Sequence, residues 1–489
     1  MIKNDLYDIT IKLPDKFTNI LKKIDKNGLG ILFVVNDDFK LLGSISDGDI
    51  RRHFLKKKKH NYLITKKFFG INKKPISLPS NSDVGKIQEV LNNVKRRKQI
   101  KCIPLVDKKN RIVDYSTKQR ARKFSVAGPI IGEEELFNVS DAIQSGWISS
   151  KGAYITRFES LFSSYLKGGF SVAVSNGTVA LQTALVALGI KSGDEVIVPN
   201  FTFGGSINSI INSGATPVIV EVEKETWTID VTKLKKYISP STKAIMPVHI
   251  YGQPCKMNEI KKFAKTHNLL VIEDAAEAIG ARYKKKVVGT DSDCSCFSFF
   301  ANKTITTGEG GMAVFKSLEI AKKARIIINQ GLSEKKRHYH EYTGHNFRMT
   351  NMQAAVGVAQ MQKIKFLLKK RKDTFLNYDK LLKNEKYIRL LPKNNWSENS
   401  YWLYTIIING IKETDRNRLI DNMLNRGIEC RPGFYSLNLM KPFKKYAKGD
   451  YPISNQLSET TLSLPTTYID KKDQKYIIDS LILEIKNIR

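Results

Sequence analysis

The stretch "CFSFFANKTITTGEGGMAVF", residues 296–315, places one lysine, Lys303, between an aromatic-rich segment and a cluster of glycines. A run this apolar is expected to bury the lysine or to leave it at a pocket wall, and burial lowers the proton affinity of an amine. A neutral amine is what Schiff-base chemistry requires, and the "GEGG" that follows permits close backbone approach. Taken alone, Lys303 is better explained as a surface charge, since lysines are rarely buried.

Two motifs upstream of this stretch bear on that choice. "VSNGTVALQTAL" (174–185) predicts a strand end, a glycine turn and a helix start, where the backbone N–H groups of Gly177 and Thr178 suit a phosphate. The alternative for this turn is a plain helix cap. "VIEDAAEAIGA" (271–281) puts Asp274 at the carboxyl end of a buried strand, where ligands bind in open α/β sheets. A protonated ring nitrogen of a cofactor would be its partner, and the alternative is a structural aspartate that caps the next helix.

The apolar runs around these motifs predict a large α/β domain with a mostly parallel sheet and helices on both faces. The predicted strands are "DEVIVPN" (194–200), "TPVIVEV" (216–222), "KAIMPVHI" (243–250) and "LLVIEDA" (269–275), and the predicted helices include 178–190 and 256–268. Past residue 375 the pattern changes to a smaller α+β piece, with a strand at 400–410 and a helix at 414–427. We therefore expect domains at 1–120, 127–375 and 376–489.

A phosphate-binding helix start, a strand-end aspartate and a lysine 29 residues further on form the order expected of a pyridoxal phosphate (PLP) enzyme of fold type I. Residues 127–489 closely resemble the DegT/StrS-type nucleotide-sugar aminotransferases, in particular the perosamine-synthase-like branch. The motifs that carry this resemblance are "FESLFSSYLKGGFSVAVSNGTVALQTAL", "SGDEVIVPNFTFGGSINSIINSGATPVIVEV", "PVHIYGQPCKMNEI", "VIEDAAEAIGARY", "FSFFANKTITTGEGGM", "GHNFRMTNMQAAVGVAQM" and "LSLPTTY".

The resemblance implies a role for individual residues. Lys303 would hold the cofactor covalently and act as general acid and base, and Asp274 would pair with the pyridinium nitrogen. Gly177, Thr178 and Ser298 would hold the phosphate. The other implied cofactor contacts are Phe203, stacked on the ring, Glu277, where many relatives carry His or Gln, and Asn346, which with Arg348 would reach the neighbouring subunit's site.

The sugar-binding segment departs from the family pattern. "RPGFYSLNLM" resembles a segment that often reads Pro-Leu-His where this chain has Ser436, Leu437 and Asn438. The resemblance implies substrate contacts from Arg431 and Tyr435 together with Arg348.

The implied activity is transfer of the amino group of L-glutamate to a nucleotide-linked 4-keto-6-deoxy sugar, as in GDP-perosamine synthesis for cell-surface glycans such as O-antigen, by a homodimer or larger assembly with shared active sites. Alternatives on the same fold are a PLP-dependent dehydratase and the synthesis of UDP- or dTDP-linked 4-amino sugars. The dehydratase branch has histidine in place of the lysine, so Lys303 argues against it. A third possibility is a nucleic-acid or nucleotide-binding protein with an inactive catalytic domain.

Residues 1–120 show strand–turn–strand followed by a basic helix twice, an internal repeat of roughly 55–60 residues. This region resembles a tandem CBS pair. "GSISDGDIRR" matches the pattern through Gly43, Ser46 and Asp49, and the last two commonly contact phosphate and ribose. The second repeat has Asp114 where Gly is usual and Arg120 where Asp is usual. Sensing of a nucleotide and ligand-free dimerisation both remain open for this module.

Charge and cysteine content bound the remaining function classes. Residues 1–125 hold 30 basic and 12 acidic side chains, and the whole chain carries a net charge of +34. Such a field favours anionic partners, but a solvated lysine-rich surface, with "KKKK" at 56–59 and "KRRK" at 95–98, explains it better than nucleic-acid or membrane binding. Five scattered cysteines without a CxxC pair, and no apolar signal core, predict a cytoplasmic protein without disulfides. The spacing of His338, His340 and His345 matches no zinc template.

Overall fold

The computed structural model describes residues 3–54, 63–65, 71–80, 82, 84–92, 100–117, 124–391, 393–467 and 469–489. Two compact units are present. One contains the described residues up to Phe124 together with Asn425–Gly427, and the other contains Ser125–Leu424 and Ile428–Arg489. Within the described part of the chain, no helix is long and apolar enough to cross a membrane.

The first unit is α+β. Its described helices are Lys3–Ile9, Phe17–Asn27, Asp47–Phe54 and Val84–Asn92, and its described strands are Thr10–Ile11, Asp15–Lys16, Ile31–Val35, Leu41–Ser46, Leu63–Ile64, Leu78–Pro79, Cys102–Val106 and Ile112–Thr117. Strand Ile31–Val35 lies between a parallel and an antiparallel neighbour, and Cys102–Val106 does the same. Apolar residues of both hairpins share one core, which includes Phe33, Val35, Cys102 and Ile112.

The repeat is longer than the sequence pattern predicts. Ile31 pairs with Ser46 in the first hairpin and Cys102 pairs with Thr117 in the second, which places equivalent residues 71 positions apart. The predicted period of roughly 55–60 residues is therefore wrong. The reason is the connection between the repeats, which includes the short strand Leu63–Ile64 and an extra bridge from Asn72 to Ser44. Residues 56–59, 95–98 and Arg120 lie outside the described residues.

The second unit is built on a seven-stranded sheet. Its strands, in spatial order, are Thr216–Val220, Glu195–Pro199, Thr242–Ile245, Leu270–Asp274, Cys294–Ser298, Gly311–Phe315 and Phe170–Val174. Only Gly311–Phe315 runs antiparallel to its neighbours in this sheet. The mostly parallel sheet of the α/β fold is thus confirmed. The α-helices of this unit are Glu133–Gln144, Ala153–Leu166, Gly177–Ala187, Gly204–Asn212, Met257–Thr266, Leu318–Ile328, Asn351–Gln362, Ile364–Leu382, Glu413–Asn425, Pro452–Thr460 and Lys471–Ile488.

Alternate side chains of the central strands pack into two different cores. Val172 and Val174 join residues of the helix Gly177–Ala187 in one core, whereas Ala173 joins residues of the helix Asn351–Gln362 in the other. Since successive side chains of a strand point to opposite faces, helices cover both faces of the sheet, as predicted.

Two smaller sheets complete the second unit. One has Ile388–Arg389, Tyr404–Ile408, Thr461–Leu464 and Arg431–Pro432 in that spatial order, and the other has Lys286–Val287, Arg282–Tyr283 and Ser397–Glu398. Short 3-10 turns lie at Val231–Tyr237, Ile250–Gly252, Leu437–Leu439 and Lys444–Tyr446. The helix Ile364–Leu382 spans residue 375, where the sequence predicts a domain border.

The predicted strand 400–410 is shorter in the structure, which has strand only at Tyr404–Ile408. Tyr401 adopts a positive φ of 59°, which an extended strand cannot include. The predicted strand 243–250 likewise ends at Ile245, two residues before Pro247, which has no N–H to donate to a neighbouring strand.

Candidate active site

A cavity of about 860 Å³ opens at the carboxyl ends of the central parallel strands. Asp274 ends one of these strands and Ser298 ends the next. Gly177 begins the helix that follows a third strand, and Phe203 lies in the loop after a fourth. All four residues line the cavity together with Lys303, so chain segments far apart in sequence meet at one edge of the sheet.

Lys303 is almost fully buried, and its ammonium faces both a ring and a carboxylate. Its Nζ lies 3.7 Å from the centroid of the Trp402 ring and 3.9 Å from Glu277 Oε1. Burial lowers the pKa of Lys303, while the carboxylates of Glu277 and Asp274 oppose that shift. The side chain is therefore a buried amine at a cavity wall and not a surface charge.

Asp274 is a buried carboxylate held by a short network. Its Oδ2 accepts a hydrogen bond from Ser206 Oγ at 2.7 Å, and its Oδ1 accepts one from the Ala276 N–H at 3.1 Å. Burial raises the pKa of Asp274, and the Ser206 hydroxyl partly offsets this by stabilising the charged form. A cationic partner in the cavity would stabilise the carboxylate further.

Glu277 is the second buried acid of the cavity. Its Oε2 accepts the Tyr251 N–H at 2.6 Å, and its backbone carbonyl accepts the Ser400 hydroxyl at 2.5 Å. Burial raises the pKa of Glu277 to about 7, even though Lys303 pulls it down. At 3.9 Å, the protonation of Lys303 and that of Glu277 depend on each other.

The predicted phosphate contacts meet at the start of the helix Gly177–Ala187. Asn176 caps this helix by accepting the Val179 N–H at 3.0 Å, so the first N–H groups have no partner within the helix itself. A Cβ added at Gly177 would lie 2.8 Å from the Cβ of Ser298. The glycine is therefore needed for close approach of the helix start to the strand end.

The predicted substrate contacts divide into two groups. Arg431 lines the cavity, as does the predicted cofactor contact Phe203, which is 62% exposed and lies 5.8 Å from the Phe434 ring. Tyr435 and Arg348 form the other group. Tyr435 is not among the lining residues, and its hydroxyl hydrogen-bonds Glu413 and Arg416 instead. The role of Tyr435 in substrate binding stays a prediction.

Asn346 and Arg348 also lie outside the lining of this chain's own cavity. The Arg348 guanidinium donates to the Asn346 side-chain oxygen at 2.8 Å from Nη2 and to the Asn329 side-chain oxygen at 2.8 Å from Nη1. Both side chains are thus fixed by local contacts next to the cavity-lining Phe347.

Three cavity residues were missed by the sequence analysis. Trp402 provides the ring under Lys303, and its indole N–H donates to the Asn302 carbonyl at 2.9 Å. Asn302 also has a buried side-chain oxygen with no hydrogen-bond partner among the described residues. Ser206 holds Asp274. Position next to the lysine could have indicated Asn302, whereas Trp402 and Ser206 depend on tertiary contacts.

The departure from the family pattern at Asn438 has a structural counterpart. Asn438 Oδ1 accepts from Asn200 Nδ2 at 2.7 Å, and the Asn438 N–H donates to Asn200 Oδ1 at 2.9 Å. This paired contact ties the segment after Phe434 to the end of the strand Glu195–Pro199. Asn438 therefore holds this segment against the end of the strand.

In the first unit, Ser46 and Asp49 bond to each other at the start of the helix Asp47–Phe54. Asp49 Oδ2 accepts the Ser46 N–H at 2.9 Å and the Ser46 hydroxyl at 2.5 Å, and Ser46 Oγ accepts the Asp49 N–H at 3.3 Å. This is a reciprocal helix cap. A Cβ at Gly43 would lie 2.9 Å from the Asn72 carbonyl oxygen, which explains the glycine there.

The cavity fits pyridoxal phosphate on its own features. The helix start cradled at Gly177 suits a phosphate, Asp274 suits a ring cation, and Lys303 suits a bond to an aldehyde. The unsatisfied Asn302 oxygen leaves one more polar contact for a ligand. Fold and cavity together define a PLP-dependent enzyme of fold type I.

The profile of the DegT/DnrJ/EryC1/StrS aminotransferase family matches residues 129–482, and that of the CBS domain matches residues 7–56. The chain belongs to the DegT/DnrJ/EryC1/StrS aminotransferase family and carries a CBS domain at its N-terminus. The resemblance found in the motifs is thereby confirmed, as are PLP as the cofactor and transamination as the class of reaction. The profile match covers the first CBS repeat, and the second repeat rests on the matching hairpins.

Named relatives agree with this assignment. A GDP-perosamine synthase of Vibrio cholerae is 42% identical over 339 residues, which cover 69% of this chain and 92% of that protein. A GDP-perosamine synthase of Caulobacter vibrioides is 41% identical over 350 residues, 70% of this chain and 93% of that protein. The PLP form of the sugar aminotransferase Spr1654 from Streptococcus pneumoniae superposes with a TM-score of 0.71 at 28% identity, covering 75% of this chain and 100% of that one.

The remaining sequence expectations concern cysteines and metals. All five cysteines are buried free thiols. Among the residues with described positions, no three His, Cys, Asp or Glu side chains are grouped as a metal site would require.

Proposed function

We propose that this protein transfers the amino group of L-glutamate to C4 of a nucleotide-linked 4-keto-6-deoxy sugar, with a GDP-linked sugar as the first candidate. The product would be a precursor of cell-surface polysaccharide. Two GDP-perosamine synthases at 41–42% identity support the substrate class. The observation that carries the proposal is the buried Lys303 amine, set between Glu277 and the Trp402 ring in a cavity that also holds Asp274.

PLP, when bound, supplies an electron sink for the carbon that loses its proton. Lys303 Nζ is the base that this chain offers, since burial favours its neutral form. We assign to it the proton transfer in each half of the reaction: it would take the proton from the α carbon of the amino donor and pass it to the cofactor, and in the second half it would deliver a proton to the sugar carbon that receives the amino group. Asp274, whose charged form is stabilised by the Ser206 hydroxyl, would pair with the positive ring nitrogen.

We assign to Glu277 the control of the protonation state of Lys303. Its Oε1 lies 3.9 Å from Lys303 Nζ, and its Oε2 is fixed by the Tyr251 N–H. The Phe434 ring in the cavity lining suits the apolar face of a sugar, and Arg431 suits a diphosphate.

We further propose a homodimer or larger assembly in which Asn346 and Arg348 reach the partner's cavity. The exposed apolar side chains of the helix Glu133–Gln144 and the turn after it support a second copy as the covering partner. Leu136 is 68% exposed, Phe137 72% and Trp147 58%, which is more apolar exposure than one helix and its turn usually carry.

The N-terminal module is proposed to sense a nucleotide at Ser46 and Asp49, with ligand-free dimerisation as the alternative. The CBS match at residues 7–56 supports this proposal. We propose the borders 1–120, 127–375 and 376–489 for the three domains. The two compact units support the border near residue 125, whereas the border at 375 rests on the sequence pattern alone. A cytoplasmic location is proposed from the five free cysteines.

The test is incubation of the PLP-loaded protein with L-glutamate and GDP-, UDP- and dTDP-linked 4-keto-6-deoxy sugars, read by mass spectrometry. An amino sugar from the GDP-linked substrate supports the proposal, and one only from UDP or dTDP substrates redirects it to that nucleotide. A dehydrated product without glutamate consumption would overturn it in favour of the dehydratase. Adding AMP, ATP, GDP or CTP should change the rate, and no change with any of them would favour the dimerisation role.

A further inference from the structure

Arg371 is a buried cation behind the wall of the cavity. It lies on the helix Ile364–Leu382 and is only 7% exposed. Burial lowers the pKa of Arg371 to about 10, and no carboxylate of the described residues counters this shift. A buried arginine without an acidic partner is costly, so its retention needs a reason.

The guanidinium donates to two backbone carbonyls, and both belong to residues of the lysine site. Nη1 donates to the Trp402 carbonyl at 2.7 Å, and Nη2 donates to the Lys303 carbonyl at 3.3 Å. Trp402 in turn donates its indole N–H to the Asn302 carbonyl at 2.9 Å. One side chain therefore connects the loop that carries the lysine to the segment that supplies the ring under it.

The guanidinium of Arg371 suits these two contacts because its N–H donors lie in one rigid plane and point in different directions. The Trp402 carbonyl also accepts the Thr466 hydroxyl at 3.0 Å, so that this acceptor keeps one partner without the arginine. A lysine at position 371 could retain the charge, but its single ammonium could not span both carbonyls in the same geometry.

Among the described residues, three charged groups influence the pKa of Lys303. The carboxylates of Glu277 and Asp274 raise the pKa of Lys303, and Arg371 lowers it. Arg371 is thus the neighbouring cation that opposes protonation of the amine, and it does so without entering the cavity.

We propose that Arg371 is a positioning residue for Lys303, whose guanidinium holds the lysine backbone and the Trp402 segment together from behind the cavity and places a positive charge against the lysine backbone. The inference rests on the proposed role of Lys303 as the covalent anchor. It concerns a residue that touches neither the cofactor nor the substrate.

The test measures the rate at which cofactor-free protein binds PLP covalently, at several pH values between 6 and 10. The growth of the visible absorbance band reports this rate. In Arg371→Met, loading at pH 7 should be about threefold slower or more, and the pH of half-maximal rate should move upward, because the amine is more protonated. Arg371→Lys should keep the wild-type pH midpoint but show a lower kcat with little change in the KM for glutamate.

Lys369→Met is the matched control, since it removes one exposed cation from the same helix. It should leave the rate and the midpoint unchanged. A wild-type midpoint in Arg371→Met would overturn the inference, and so would an equal shift in Lys369→Met. Should Arg371→Met fail to fold, an unchanged kcat in Arg371→Lys would overturn it. Lys303→Ala separates the two proposals: a band that persists there contradicts the role of Lys303 itself.

Discussion

At the residue scale, the feature that sets this site apart is the carboxyl group of Glu277 facing the lysine. Two buried groups of opposite charge, 3.9 Å apart, cannot titrate independently. Because burial raises the pKa of Glu277 to about 7, a small change in pH alters the proton content of the pair. Glu277 therefore makes this site pH-sensitive in the neutral range.

A first prediction concerns the stability of the cofactor-free protein. The ordinary pKa of the glutamate, 4.5, is raised to about 7 on folding, so between these values the folded state binds more protons than the unfolded state. Stability from this group is present below about pH 4.5 and is lost as the pH rises to about 7. Glu277→Gln should show a smaller fall in Tm across that window, measured by thermal unfolding.

Asp274, whose pKa is also raised, is present in both proteins, so the fall in Tm that it causes remains in Glu277→Gln. Equal falls in Tm for wild type and Glu277→Gln would contradict the assignment.

Ser206 gives a second prediction at this scale. Its hydroxyl is 2.7 Å from Asp274 Oδ2, and loss of a hydrogen bond to a buried charge costs about 1–3 kcal/mol. Ser206→Ala should weaken PLP binding by about fivefold to a hundredfold in a fluorescence titration. Ser209→Ala is the control: it removes a buried hydroxyl of the same helix that donates to the Ser206 carbonyl and, among the described residues, does not bond to Asp274. Equal losses in both variants would show that the hydroxyl does not act through Asp274.

The sequence predicts some of these residues and not others, for a physical reason. Lys303 and Asp274 lie at ends of strands and in glycine turns, which short-range patterns reveal. Trp402 lies 100 residues beyond Asn302, whose carbonyl it contacts, and Arg371 lies 68 residues beyond Lys303. Contacts of this kind arise only when the chain has folded.

At the scale of elements, the decisive contact joins the start of the helix Gly177–Ala187 to the end of the strand Cys294–Ser298. A Cβ at Gly177 would meet the Ser298 Cβ at 2.8 Å and its Cα at 3.4 Å. The backbone of that strand end cannot retreat without moving the neighbouring strands of the sheet.

Gly177→Ala should therefore cost about 1–3 kcal/mol through overpacking and should also weaken PLP binding, because the phosphate cradle is displaced. Gly204→Ala is a matched control at the first residue of another helix, where the nearest atom to an added Cβ is 3.8 Å away. It should change the free energy of unfolding by less than about 0.5 kcal/mol. Urea unfolding and a PLP titration measure both effects, and similar losses in the two variants would contradict the packing argument.

The sequence predicts whether a segment is a helix or a strand better than it predicts the residues at which the segment ends. The buried strands were located because each is a short apolar run between helical segments. The strand 400–410 was predicted too long because the positive φ of Tyr401 leaves no trace in an apolar pattern. The period of the repeat in the first unit is predicted too short because the connection between the two hairpins contains an additional strand, Leu63–Ile64. This strand pairs with the distant strand Asp15–Lys16, which the sequence pattern does not reveal.

At the scale of the whole molecule, an aminotransferase and a CBS domain lie on one chain. The net charge of +34 suits anionic small molecules such as nucleotide sugars at both, and long-range attraction would raise their encounter rate at low salt. The cavity at the sheet edge has aromatic side chains together with Lys303 and Arg431 in its lining, groups that suit the proposed nucleotide-sugar substrate.

The central claim is that Lys303 anchors PLP and passes an amino group from glutamate to a nucleotide-linked keto sugar. The most direct measurement is the visible absorbance of the PLP-loaded protein. We predict a band that L-glutamate bleaches, that a GDP-linked 4-keto-6-deoxy sugar then restores, and that Lys303→Ala lacks. A wild-type protein that shows no band after PLP is added, or a band that glutamate leaves unchanged, would contradict the account.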